Sequence, residues 1–266
     1  MERHPEHGQM ILSLAQAEVF FLVLARIAGV FIQAPLFSSR SFVSSAKIAF
    51  AIWLTIVLWF VVPVTSNLPG TPLSLAITLV AEVALGFLIG FVSNIIFIAV
   101  QTAGEIMDMQ MGLSVATALD PVFGAVISVV GRLTFYVALI VFIVLDGHHM
   151  ILAAFHQSFS VIPAGQIANF ASYDLVTQLM QLGGVLWMTT IKLAAPIVLL
   201  IFLSDFTFGI VSRVAPQVNV FMLGFQVKPM LGLFAFLVTL PFLIKQISNM
   251  IGLIGQELIK LLIVIK

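Results

Sequence analysis

Hydrophobic residues in this chain run in long unbroken blocks rather than alternating with polar ones, and the blocks are as long as membrane-spanning helices. A bilayer core of about 30 Å takes a helix of about 20 apolar residues. By that measure apolar segments lie at roughly 12–35, 43–62, 73–103, 126–146, 180–203 and 219–244. A shorter one lies near 150–162, and a last amphipathic or apolar stretch covers 250–266. The connectors are short: Ser38-Ser39-Arg40-Ser41, then Pro63 to Pro72 around Asn67, then Pro163 to Asp174. None can hold a separate soluble domain and no solenoid period appears, so residues 1–266 read as one domain. Membrane β-strands would alternate apolar and polar residues over stretches of about 10. The unbroken runs exclude that, and the expected class is an all-α, multi-helix integral membrane protein.

Composition supports the same reading. Of 266 residues 61% are hydrophobic and 8% charged, against about 25% charged in an ordinary soluble domain. Eleven basic and eleven acidic residues cancel, so no charged patch points to nucleic acid. The absence of cysteine removes disulfides and thiolate chemistry. Glu18 and Arg26 interrupt the first apolar run, which reads as a retained helix rather than a signal peptide. Lys and Arg are too evenly spread to set an orientation.

Some helix faces carry residues that lipid would not accept. At about 100° per residue, Glu82, Gly86, Gly90, Ser93, Gln101 and Gly104 share one arc, with Phe97 as the exception. Gly86 and Gly90 also form a G-x-x-x-G, which lets two backbones approach closely. In the first segment Glu18, Arg26, Gly29 and Gln33 share a similar arc. Glu18 and Arg26 lie roughly 12 Å apart along the axis, so each needs a partner on another helix or subunit.

The stretch from Gln101 to Gly124 changes character. Glu105 and Asp108 are like charges at i, i+3, and Met107, Met109 and Met111 alternate with polar residues. Gly112 and the Asp120-Pro121 step then break regular structure. Such a break at membrane depth is tolerated only inside protein or along a water-filled cavity. Methionine, flexible and polarisable, can act there as a soft gasket; the plainer alternative is core filler.

The run Thr102-Ala-Gly-Glu105 through Met111-Gly112-Leu113-Ser114 to Asp120-Pro121 resembles the most characteristic stretch of the FliR family of flagellar type III export-gate proteins. Arg26-Ile-Ala-Gly-Val-Phe31, Ala34-Pro-Leu-Phe37 and Ser39-Arg40-Ser41 resemble its N-terminal hairpin, and Leu145-Asp146-Gly147-His148 its mid-chain turn. Arg213-Val-Ala215-Pro216-Gln217-Val-Asn219-Val-Phe221, followed by Gly224-Phe225, is similar to its C-terminal signature. The ordered set covers residues from about 20 to about 245.

The resemblance implies a FliP-like part followed by a FliQ-like helical hairpin, partly kinked and wound into a helical hetero-oligomer. It implies one copy of this chain among FliP-like and FliQ-like subunits, an FlhB-like export protein docked on them, and unfolded flagellar polypeptides in transit. It places the assembly in the bacterial inner membrane at the flagellar basal body, with much of it raised toward the periplasm. The family's plug loop maps onto 112–124, giving Met107, Met109, Met111, Gly112, Leu113, Asp120, Pro121, Phe123 and Gly124 as pore residues. Subunit-packing candidates are Glu18, Arg26, Glu82, Gly86, Gly90, Glu105, Asp108, Arg213, Pro216, Gln217, Asn219 and Gly224. Two positions depart from the family's pattern. Asp205 stands where many relatives carry a neutral residue. Lys228 stands near where injectisome relatives often carry a lysine, which keeps that secretion paralogue as an alternative, while Gly224-Phe225 resembles the flagellar branch.

Other chemistry is sparse. Asp146, His148 and His149 form the one local cluster with metal-ligand chemistry, but adjacent histidines are expected to point apart, so the group reads as a polar turn and no metal or cofactor is expected. Lys192, Asp205, Arg213 and Lys228 sit in or beside apolar helices, where ionisable groups mark a pathway or a partner. An interhelical salt bridge between Lys192 and Asp205 is one reading, and an ion-coupled small-molecule transporter is the competing class. No inverted repeat supports the transporter. No nucleophile–base–acid set or phosphate loop points to an enzyme. Pro196, Pro229 and Pro241 predict kinks, and Gly183-Gly184 a close-packing point.

Overall fold

Turn residues set the helix ends. In the computed structural model, which describes residues 6–35, 43–62, 69–114 and 128–266, with side chains from 15, there are seven helices among the described residues. They are α1 (Glu6–Gln33), α2 (Ser44–Trp59), α3 (Pro72–Met111), α4 (Val129–Val144), α5 (Gly147–Val161), α6 (Tyr173–Val214) and α7 (Val220–Val264). Pro72 opens α3 at a position where its missing N–H costs nothing, and Thr71 Oγ1 accepts from Ser74 N at 3.2 Å. Ser128 Oγ caps α4 through Gly131 N at 2.8 Å, and Asn219 Oδ1 caps α7 through Met222 N at 3.2 Å.

The all-α expectation holds, with three differences in extent. The third apolar segment continues as helix beyond 103 to Met111, so all three methionines lie on its last turns. The segments at 219–244 and 250–266 are one 45-residue helix, because Ser248 and Asn249 interrupt the hydropathy without breaking the backbone. The segment at 180–203 extends in both directions to make the 42-residue α6, which contains Pro196. Among the described residues four helices are long and apolar enough to cross a membrane, or five if α4 and α5 together make one span.

The described residues fall into two compact units. The first takes in Met1–Asn94, His148–Met180 and Leu253–Lys266. In it α1 and α2 form an antiparallel hairpin: Trp59 Nε1 donates to Gln16 O at 2.9 Å at one end, and Phe31 stacks on Phe50 at 5.9 Å near the other. α3 lies against α1 through glycines. A Cβ on Gly86 would strike the carbonyl of Arg26, and one on Gly29 the carbonyl of Val83. The end of α7 is tied to the segment before α6 by Asn169 N donating to Ile265 O at 3.0 Å.

The second unit takes in Ile95–Gly147 and Gln181–Gly252. Phe97 packs edge-on against Phe142 at 5.3 Å. Thr190 Oγ1, buried on α6, donates to Ala99 O on α3 at 3.1 Å. Gly104 admits α4, since a Cβ there would meet Thr134 and Gly131. Gly183 and Gly184, expected to mark a close-packing point, have open space around them within the chain.

Candidate functional site

The sequence singles out the end of α3, and the structure shows how it is held. Gly112 adopts φ +79°, Leu113 N bonds back to Asp108 O at 3.2 Å and Gly112 N to Met109 O at 3.1 Å. This is the Schellman termination, which needs a left-handed residue after the helix and so favours glycine at 112. Asp108 is buried, and its Oδ1 accepts from Val130 N at 3.1 Å, placing the carboxylate at the positive end of α4. Glu105, three residues earlier, is exposed and accepts from Gln101 Nε2 at 3.0 Å. The two like charges therefore sit in different surroundings, one buried and capping a helix and one exposed. Gln101 itself is exposed, so the arc from Glu82 to Gly104 is not buried throughout.

The three methionines divide. Met107 is fully buried among Val100, Ala103, Val137, Leu193 and Phe236, and Met111 is fully buried against Gly232, where any Cβ would collide with it. Met109 is 61% exposed. It opens onto a cleft of about 600 Å³ lined also by Gln110, Gly112, Asp205, Phe221, Phe225 and Lys228. Within this chain, only Met109 of the three is open to a passing or sealing partner. Leu113 is half-buried at the start of the plug stretch, and Asp120, Pro121, Phe123 and Gly124 lie outside the described residues, as do Ser39, Arg40 and Ser41.

Asp205 finds its partner across the α6–α7 hairpin, in Lys228 Nζ at 2.5 Å. This corrects the Lys192–Asp205 reading: both residues lie on α6, too far apart to meet. The hairpin turn is the Arg213–Asn219 signature, in which Ala215 N bonds to Val211 O at 2.8 Å and Val218 N to Ala215 O at 3.0 Å. Pro216 has no N–H to extend α6, and Arg213, Pro216, Gln217 and Asn219 are exposed, while Gly224 is buried.

The two buried charges of the first unit, Arg26 and Glu82, pair with each other. Arg26 is wholly buried, with Nε on Glu82 Oε2 at 2.5 Å and Nη2 on Glu82 Oε1 at 3.1 Å. Nη1 donates to Ser158 Oγ at 3.0 Å and Nη2 also to Ile162 O at 3.0 Å. Phe159 lies under the guanidinium at 4.0 Å, and Gly165 N donates to Glu82 Oε1 at 3.0 Å. Nothing in the spacing along the chain points to Ser158, Phe159 or Gly165 as partners. Gly86 and Gly90 follow Glu82 on α3 and face the backbone of α1 at Arg26 and Val30, and Glu18 is half-buried. His148 and His149 also depart from expectation. Their rings lie 4.2 Å apart rather than diverging, because the first turn of α5 has no preceding turn to steer the side chains.

The model of the bacterial export proteins, family 1, matches residues 17–254. The flagellar biosynthetic protein FliR of Bacillus subtilis is 28% identical over 246 residues, covering 91% of this chain and 94% of that protein. The FliR of Escherichia coli K12 is 27% identical over 253 residues, covering 92% and 95%. The Yop proteins translocation protein T of Yersinia pestis is 28% identical over 224 residues, covering 82% and 85%. With an all-helical apolar fold and a match across most of its length, the chain belongs to the bacterial export proteins, family 1, the family of the FliR proteins.

Proposed function

We propose that this chain is a structural gate subunit of a flagellar type III protein export apparatus, completing a pore with FliP-like and FliQ-like subunits in the inner membrane. The observation that carries this is how little α6 and α7 are covered by their own chain. Their apolar windows are 17% and 22% buried, against 61% for α3. At about 1.5 Å per residue, helices of 42 and 45 residues are about 63 and about 68 Å long, well beyond a bilayer of about 40–45 Å with its headgroups. Lipid cannot cover such arms along their whole length. Neighbouring protein subunits can, and relatives named for flagellar biosynthesis and for protein translocation support that choice.

In this reading the α3 terminus presents Met109 toward the pore while Met107 and Met111 anchor the same turns in the core. The stretch 112–124 is the plug, and substrate displaces it. The machinery is mechanical: an aperture, a soft thioether against it and a rigid backing. An injectisome apparatus is a second reading, supported by the Yersinia relative. Expression with flagellar export genes and recovery of one copy of this chain in a discrete hetero-oligomer is the expected result. A self-sufficient monomer or homodimer would instead favour a transporter.

A further inference from the structure

On α6 the residues Gln181, Gly184, Val185, Met188, Lys192, Leu199 and Leu203 fall on one face at about 100° per residue, and all of them are exposed. Lys192 is the single ionisable group in the apolar part of that face. Its nearest polar neighbours there are Gln181, about 16 Å away along the axis, and Arg213, about 32 Å away. Among the described residues no ion-pair partner meets it. A lysine stem of four methylenes spans neither distance, so the ammonium cannot reach the polar ends of its own face by snorkelling. Pro196, four residues on, has no N–H to give to the carbonyl of Lys192. A strong donor and an acceptor released from the helix ladder thus coincide on an otherwise apolar surface. Hydrocarbon would satisfy neither. Open space around Gly184, two turns earlier, lets another helix come close.

We propose that Lys192 is a docking point for a carboxylate carried by a helix of a neighbouring subunit, with the Lys192 carbonyl free to accept a hydroxyl or amide donor from the same helix. This rests on the gate-subunit reading and adds to it the chemistry of one partner contact. Charge complementarity commits the partner: among the side chains a partner helix can offer, an ionised Asp or Glu is the one that neutralises an ammonium held in an apolar contact.

The test treats the purified assembly, formed from full-length chains, with a water-soluble carbodiimide, which joins a lysine amine to a touching carboxylate without a spacer. The expected product is an amide between Lys192 and an acidic residue of another chain. Lys192→Arg should keep the assembly and lose the link, because a guanidinium pairs but does not couple. Lys192→Glu should lower recovery of the assembly at least tenfold while leaving the chain's own helicity unchanged. Undiminished assembly with Lys192→Glu would overturn the proposal, as would equal amine labelling of Lys192 by a water-soluble reagent in the free chain and in the assembly. Failure of the wild-type chain to join any hetero-oligomer would overturn the gate reading itself, and this inference with it.

Discussion

Burial separates the roles of side chains that look alike in sequence. Met107, Met109 and Met111 form one alternating motif, yet two are core and one is surface. Met107→Ala and Met111→Ala are each expected to cost about 2–5 kcal/mol through lost contacts and a cavity, measured as a lowered unfolding midpoint. Met109→Ala should change stability by less than about 0.5 kcal/mol, yet raise the resting ion conductance of the assembled gate. An unchanged conductance would remove Met109 from the seal. Arg26 and Glu82 behave oppositely to a surface pair. Glu82→Gln leaves a buried guanidinium without its counter-charge and should cost about 3–5 kcal/mol, read from the same midpoint, whereas an apolar double replacement should recover much of that. That Arg26 needs a partner is evident from its place inside an apolar run. Which partner is not, because Glu82 lies 56 residues away and Ser158 lies 132 away. Asp108 is similar: its carboxylate caps a helix that begins 21 residues later, and no local rule connects the two.

Among the elements, contacts that depend on small residues are the most exposed to test. Gly86→Ala drives a methyl into the Arg26 carbonyl, so α1 and α3 must separate and loosen the buried ion pair between them. A loss of about 1–3 kcal/mol is expected, with Gly70→Ala, which meets only open space, as the neutral control. The α6–α7 hairpin is closed by Asp205 and Lys228, whose side chains are 45% and 28% exposed. Solvent screening limits that pair to about 1 kcal/mol or less, so either single neutral variant should be mild and the exchanged pair Asp205→Lys with Lys228→Asp close to wild type. Much of this level was readable from the chain: Gly112 ends α3, the apolar segment from 219 marks the start of α7 and the 3.6-residue period places Glu82 and Gly86 on one buried face. The lengths of α3 and α7 were not. Hydropathy falls where polar residues face outward or cap another element, as at Glu105, Asp108, Ser248 and Asn249, while the backbone hydrogen bonds continue unaffected.

On the scale of the whole molecule the central feature is incompleteness. The chain pairs its buried Arg26 and Glu82 internally and leaves the apolar windows of α6 and α7 largely bare, with Lys192 and Arg213 exposed on α6. A self-contained transporter would be expected to cover its ionisable groups with its own helices; this chain leaves that to something else. The membership in a bacterial export family gives that something a class, a set of fellow export subunits. The decisive measurement is native mass spectrometry of the chain, gently solubilised after expression with the neighbouring export genes. A discrete hetero-oligomer containing one copy of this chain is the predicted result. A stable monomer or homodimer, recovered without other export subunits, would contradict it.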